Sequence, residues 1–415
     1  MTRREFLKRS TGTAFALSSA GAFLASCGRA SNPNAPMGGG TSNAASGLPL
    51  ARRDHPVTWP IYPDNPPIAS GLQPENNATL KIYNWADYIY KSVVNDFARH
   101  YRCKVQISTF NTVDEALAKI RTGQVDFDVY FPDPSLLGKL VVSKLIRPLN
   151  HDYIPNPSNV WPNLQSPFYD VGSRYTLPYT IYTTGIGWRN DHVPVDIPSM
   201  SNPYDVLWDP TYKGKVYLLD DYRETISMAL LKNSVTDINT GDPKLIDMAR
   251  EDLTKLNSLV GVKLDTSDYT DLPEGSSWIH QAWSGSMVSA QYYLPKGTPV
   301  SALSYWYPPS GAGVIGQDNI AILKSGRNPV LAHLFLNWML DSKNAYSNFV
   351  NFNGYQPPMN DISPERLVSD GAVPKNLTTA VVGPQDFDKG FTILELSPTV
   401  DALWHSAYQQ FQAGV

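Results

Sequence analysis

The chain predicts an α/β fold in two lobes, each a mainly parallel sheet flanked by helices, with a ligand held in the cleft between them. Three observations carry this expectation. Short apolar strand patterns alternate with amphipathic helical ones, the mark of βαβ units. The folded body runs from about residue 79 to residue 415, more chain than one hydrophobic core usually spans. No internal repeat is visible, so a stacked-repeat architecture has no support.

The elements follow in order. Residues 80–83 read as a short strand, and Val94, Phe97 and Tyr101 fall at helical spacing in 91–101. Residues 105–108 alternate like a strand, and Val113, Leu117 and Ile120 share one helical face. A buried-type strand at 128–131 precedes a helical stretch at 135–145. The theme returns with strands at 215–219 and 319–323 and helices at 225–232, 243–259 and 329–340. Open α/β sheets bind ligands beyond the carboxyl ends of their strands. In a two-lobed version that place is the interlobe cleft, with crossings expected near 182–187, 313–318 and 353–358.

The N-terminus carries an export pattern. Arg3-Arg4 followed by Phe6-Leu7-Lys8 is a twin-arginine address. The apolar stretch from about residue 11 to residue 25 is too short to span a bilayer and suits a signal peptide. It ends Leu24-Ala25-Ser26-Cys27, a lipobox pattern in which Cys27 would be lipidated and the chain cut before it. Residues 1–26 therefore read as a twin-arginine lipoprotein signal peptide. Residues 27–78, rich in Ser, Asn, Pro, Gly and Ala, read as a flexible tether. The lobes are expected at 79–183 with 316–356, and at 184–315 with 357–415.

Composition narrows the function. Cleavage would take four basic residues from 34 and one acidic residue from 38, leaving a net charge of −7. Such a chain lacks the basic face that nucleic acid requires. The two cysteines are Cys27 and Cys103, so lipidation of the first leaves Cys103 without a disulfide partner. No nucleophile elbow, phosphate loop, His-Glu-x-x-His or Cys-x-x-Cys is present, which speaks against an enzyme and against a cofactor. With 10 Trp and 23 Tyr beside plentiful carboxylates, the chain has the materials of a receptor for organic cations. Ammonium groups seek carboxylates and aromatic faces, and methylene chains seek aromatic walls.

Five motifs fall in order along the body: Tyr83-Asn84-Trp85-Ala86-Asp87-Tyr88, Leu218-Leu219-Asp220-Asp221-Tyr222-Arg223-Glu224, Ala282-Trp283-Ser284-Gly285-Ser286, Asp318-Asn319-Ile320-Ala321-Ile322 and Gly354-Tyr355-Gln356-Pro357-Pro358. In these the body resembles the periplasmic spermidine/putrescine-binding proteins of ABC importers. The resemblance implies a type II periplasmic-binding-protein fold, a polyamine or related organic cation as ligand, a membrane permease as partner, a monomer, and no metal. It implies that Trp85 and Tyr88 line the cleft from one lobe, and that Asp221 and Glu224 face ammonium groups from the other. Trp283 would stack on the methylenes, Asp318 would take a further ammonium at the crossing, and Tyr355 would close one side. Asp221 is also a natural helix N-cap, and the two roles are compatible.

There are departures from the family pattern. Gly316 stands where the family has a tryptophan, and Ser135 where it has a tyrosine wall. Asp133 adds a carboxylate near that place, Glu395 lies near the position of a family glutamine, and Trp306 or Tyr307 could supply a ring. Two other readings keep the fold: a ferric-ion or other small-cation binder using the pair Tyr292-Tyr293, and a ligand sensor.

Overall fold

The computed structural model describes residues 49–415, apart from residue 124. The signal peptide and Cys27 lie outside the described residues. Among the described residues one sheet of ten strands organises the chain. On one side, β1 (Thr79–Trp85) pairs in parallel with both β2 (Lys104–Phe110) and β3 (Val129–Tyr130). On the other, β6 (Val216–Leu218) pairs in parallel with β7 (Lys263–Leu264) and β8 (Ile279–Trp283). Between them run β5 (Thr176–Arg189) and β10 (Val314–Leu323), giving the order β2-β1-β3-β10-β5-β8-β6-β7. β4 (Ile146–Arg147) pairs with β10, and β9 (Leu303–Trp306) with β5. The flanks are parallel as expected, while β5 and β10 pair antiparallel with each other and with the strands β3, β4, β8 and β9 beside them.

Strand periodicity explains the cores. Leu80 and Ile82 enter one buried cluster, whereas Tyr83 enters another. A third cluster forms on the β6 side around Ile226, Leu253, Leu256 and Trp404. Its long helix, Pro243–Val260, shows how local rules and packing agree. Asp242 caps the first turn, Pro243 takes the position that needs no N–H, and Gly261 ends the helix at φ 62°. Ile246, Ala249, Leu253, Leu256 and Val260 form its buried stripe. Full burial of each large one contributes about 1.5–3 kcal/mol.

The tether assignment needs correction beyond residue 48. Residues 49–77 are docked on the body although they form no regular element. Trp59 is 1% exposed, and its Nε1 donates to the Tyr169 carbonyl at 2.7 Å. Asn65 Nδ2 donates to the Ile146 carbonyl at 2.8 Å, and the Glu75 carboxylate accepts the N–H groups of Val330 and Leu331 at 2.9 Å each. Composition misled because prolines cannot build a ladder, yet a few large side chains suffice to anchor such a stretch. Its carbonyls are served from the body: Arg174 donates to Trp59 O and Tyr175 to Pro60 O.

Candidate functional site

The two central strands present one face to the site. Thr180 pairs with Asp318, Tyr182 with Gly316 and Thr184 with Val314, and alternation puts Thr180, Tyr182, Gly316 and Asp318 on the same face. The register shifts just after Asp318, where Asn319 pairs with Pro178. Proline has no N–H for the ladder, and a bulge at such a point re-aims the neighbouring side chain. A third crossing joins them through the Ile181 N–H, which donates to the Gln356 carbonyl at 2.7 Å. The crossings expected near 182–187, 313–318 and 353–358 thus lie side by side.

Asp318 is 7% exposed. Tyr88 Oη donates to its Oδ2 at 2.5 Å and lies 2.5 Å from Thr180 Oγ1. Burial raises the Asp318 carboxyl to about 7, the Tyr88 hydrogen bond pulls it back, and the charge of Asp133 raises it further. Tyr355 meets Tyr88 edge-on at 5.1 Å and Tyr182 at 6.0 Å, and its hydroxyl lies 3.0 Å from Ser286 Oγ.

A second acidic group stands at the start of the helix Tyr222–Lys232. Asp221 caps it: Oδ1 accepts the Arg223 and Glu224 N–H groups at 2.9 and 3.0 Å. Burial still raises the Asp221 carboxyl above its ordinary value. Glu224 is buried. Trp283 Nε1 donates to its Oε1 at 3.1 Å, while Oε2 has no partner. Burial, then the charge of Asp221, raises Glu224 to about 8. The Arg223 guanidinium turns away, to the Leu394 and Ile238 carbonyls and Asn239. Neither Asp318 nor Glu224 is ion-paired among the described residues.

Asp133 caps the turn Pro134–Leu136 by accepting the Ser135 N–H at 2.7 Å. Its charge bears on Asp318, Asp221 and Tyr182. Trp85 has a different setting. Its ring packs on Phe110 at 4.5 Å, and its indole N–H is buried without a partner. Half-buried, it packs against two of the core clusters, and among the described residues it is bonded to none of the acids.

Two residues that the sequence reading missed complete the arrangement. Tyr182 is half-buried, and burial together with the charges of Asp318, Glu224 and Asp133 pushes its phenol well above the ordinary range. A methyl group on Gly316 would lie 2.3 Å from Tyr182 Cζ, so the Tyr182 ring occupies the space that a side chain at 316 would need. The ring thought missing at Gly316 is therefore supplied from the paired strand. Trp306 and Tyr307 do not supply it. Trp306 packs edge-on to Tyr204 at 5.1 Å, and Tyr307 donates to the Gly311 carbonyl. Asp268 is the other missed residue: fully buried, it accepts the Trp283 N–H at 2.9 Å, and burial raises it to about 7. Neither Tyr182 nor Asp268 carried a periodicity signal in the sequence; β5, which holds Tyr182, is buried along nearly its whole length.

The two tyrosines of the Tyr292-Tyr293 pair have different settings. Tyr292 is 45% exposed and donates to the Val350 carbonyl, whereas Tyr293 packs edge-on to Tyr269 at 5.4 Å. Among the described residues no group of three or more His, Cys, Asp or Glu side chains could hold a metal ion.

The family model for bacterial extracellular solute-binding proteins matches residues 92–375, more than half of the chain. This chain belongs to that family. The solute-binding protein is 30% identical over 272 residues to the spermidine/putrescine-binding periplasmic protein of Escherichia coli, covering 65% of this chain and 75% of that one. The Salmonella typhimurium protein of the same description is 27% identical over 351 residues, covering 83% and 94%. A crystal structure of a spermidine/putrescine transporter substrate-binding protein from Streptococcus pneumoniae superposes with a TM-score of 0.65 at 22% identity. It covers 81% of this solute-binding protein and 99% of that chain, which establishes the common periplasmic-binding-protein fold. The family is one of solute carriers, not of enzymes.

Proposed function

We propose that this solute-binding protein captures a polyamine of the putrescine or spermidine kind and delivers it to an ABC permease. One observation carries the reading: the charges of Asp318, Glu224 and Asp133 all bear on the Tyr182 phenol, Asp221 neighbours Glu224 and Asp133, and Asp318 and Glu224 lack a basic partner among the described residues. Burying carboxylates without cations is costly, and ligand ammonium groups would relieve that cost. Tyr182, Tyr88, Tyr355 and Trp283 offer faces for methylenes and for cation–π contact, each such contact being worth ~0.5–2 kcal/mol. The resemblance to spermidine/putrescine-binding relatives supports the same ligand class.

In this reading residues 79–183 with 316–356 form one lobe, and 184–315 with 357–415 the other. The lobes close over the ligand by bending at the crossings of β5, β10 and the strand at Gln356. Asp318 and Tyr88 seat one ammonium. Glu224, Asp221 and Asp133 seat another, and Trp283 and Tyr355 flank the chain between them. Export by the twin-arginine route, lipidation at Cys27 and action as a monomer complete the proposal.

Thermal shift of the purified protein tests it, with putrescine, spermidine, spermine, simple amino acids and ferric citrate as probes. A ligand that binds only the folded state at 100 times its Kd adds about 2.7 kcal/mol. A rise with a polyamine and with neither amino acids nor iron is the expected result. No rise with any polyamine would overturn the reading and leave the family and fold standing.

A further inference from the structure

Residues 51–59 lie upstream of β1 and outside the stretch matched by the family model. They nevertheless reach Glu395 and Gly138, which lie next to the turn that Asp133 caps. On the β1 side they are fastened by the Val57 N–H to the Phe168 carbonyl at 2.7 Å, by the Val171 N–H to the Val57 carbonyl at 2.9 Å, and by Trp59 to Tyr169. In the other direction Arg52 Nη2 donates to the Glu395 carbonyl at 3.0 Å, and Arg53 Nη2 to the Phe387 carbonyl at 2.7 Å. The chain around Glu395 is in turn tied to the β6 side. The Leu394 carbonyl accepts Arg223 Nη1 at 2.9 Å, and its N–H donates to Asn239 at 2.8 Å.

Glu395 and Trp59 converge on Gly138. A methyl group there would lie 2.3 Å from Glu395 Oε2 and 2.9 Å from Trp59 Cη2. Gly138 follows Ser135 by three residues, in the helix Leu137–Val142 that directly follows the turn capped by Asp133. The other Glu395 oxygen, Oε1, is buried without a partner. The segment thus stands beside the stretch that carries Ser135, where the family pattern has a tyrosine.

We propose that residues 51–59 are a working part of the cation site: Trp59 backs the Ser135 end, and Arg52 braces the β1 side to the β6 side through the Glu395 backbone. Both are positioning residues, acting through Glu395 and Gly138. The brace slows opening of the cleft and biases it toward longer polyamines that reach the Ser135 end. This inference rests on the polyamine reading above.

The test is the dissociation rate of spermidine and putrescine, followed by tryptophan fluorescence in the full mature chain. Arg52→Ala should release spermidine about tenfold faster, the size of one hydrogen bond from a charged donor, with binding stoichiometry unchanged. Arg52→Lys, which keeps a cationic donor, should restore part of the loss. Trp59→Phe keeps an apolar ring where Trp59→Ala risks misfolding, and it should narrow the spermidine-to-putrescine affinity ratio. If Arg52→Ala lowers the Tm while both dissociation rates and the affinity ratio stay at wild-type values, the segment is a structural strap only and the proposal is overturned. If the wild-type protein binds neither polyamine, the ligand reading itself fails and this inference falls with it.

Discussion

Asp318 and Asp221 face the same site, but they are held in opposite ways. Asp318 leans on a phenol, Tyr88, and has no other donor among the described residues. Asp221 sits on a helix N-terminus, where two backbone N–H groups and the helix dipole favour its charge. The helix satisfies Asp221 whether or not a ligand is present. Asp318 has only one neutral donor, so its ionised form depends far more on an arriving cation. In the proposed reading, one acid is therefore largely structural, and the other is the one left for the ligand's ammonium.

This contrast yields tests of decreasing size. Asp318→Asn should weaken spermidine binding by about 2–5 kcal/mol, the usual cost of removing one partner from a buried charge pair, with little change in the Tm of the empty protein. Asp221→Ala should do the reverse in proportion, lowering stability by about 0.5–2 kcal/mol through loss of the cap and weakening binding less. Calorimetry on both variants checks the pair, and equal binding losses would break the contrast.

Gly316→Ala comes next. The added methyl must displace the Tyr182 ring, and overpacking of this kind costs about 1–3 kcal/mol of stability. Denaturant melts and polyamine titration should both register it. An unchanged affinity would mean that Tyr182 is not part of the site.

The pH dependence follows from the raised carboxyls. Asp318 titrates at about 7 and Glu224 at about 8 in the empty fold, against about 4 for unfolded carboxyls. Between those values the folded empty protein binds more protons than the unfolded chain. These groups therefore make its stability fall as pH rises from about 4 to 8. A bound ammonium favours the ionised carboxylates, so affinity should rise over pH 6 to 8, by up to about tenfold per unit for each coupled proton. Titrations at pH 6 and 8 in buffers of different ionisation enthalpy would show the proton release. The smallest effect expected is that of Trp283→Phe, which removes one donor to Glu224 and should cost about 1 kcal/mol in affinity.

Much of this was legible in the sequence. Periodicity located the helices and outer strands, because amphipathic patterns record which face is buried. Asp221, Glu224 and Asp318 were expected from motifs that resemble a family's, and the structure gives each a defined set of neighbours. What escaped was long-range. β5 is buried along nearly its whole length, so it lacks the alternation that marks a strand. Tyr182 acts only because Gly316 lies opposite it in the sheet, a pairing that sequence spacing does not reveal. Trp59 was read as part of a tether because a proline-rich stretch has no periodicity, although one buried indole was enough to dock it.

That docking shortens the leash. With Cys27 as the proposed anchor point, only residues 28–48 separate the lipid from the docked chain, in place of the fifty or so counted when folding was expected to start at 79. At no more than about 3.6 Å per residue, the span falls from about 180 Å to about 80 Å even at full stretch. With that proposed anchor, the folded body would work within this shorter reach of the bilayer.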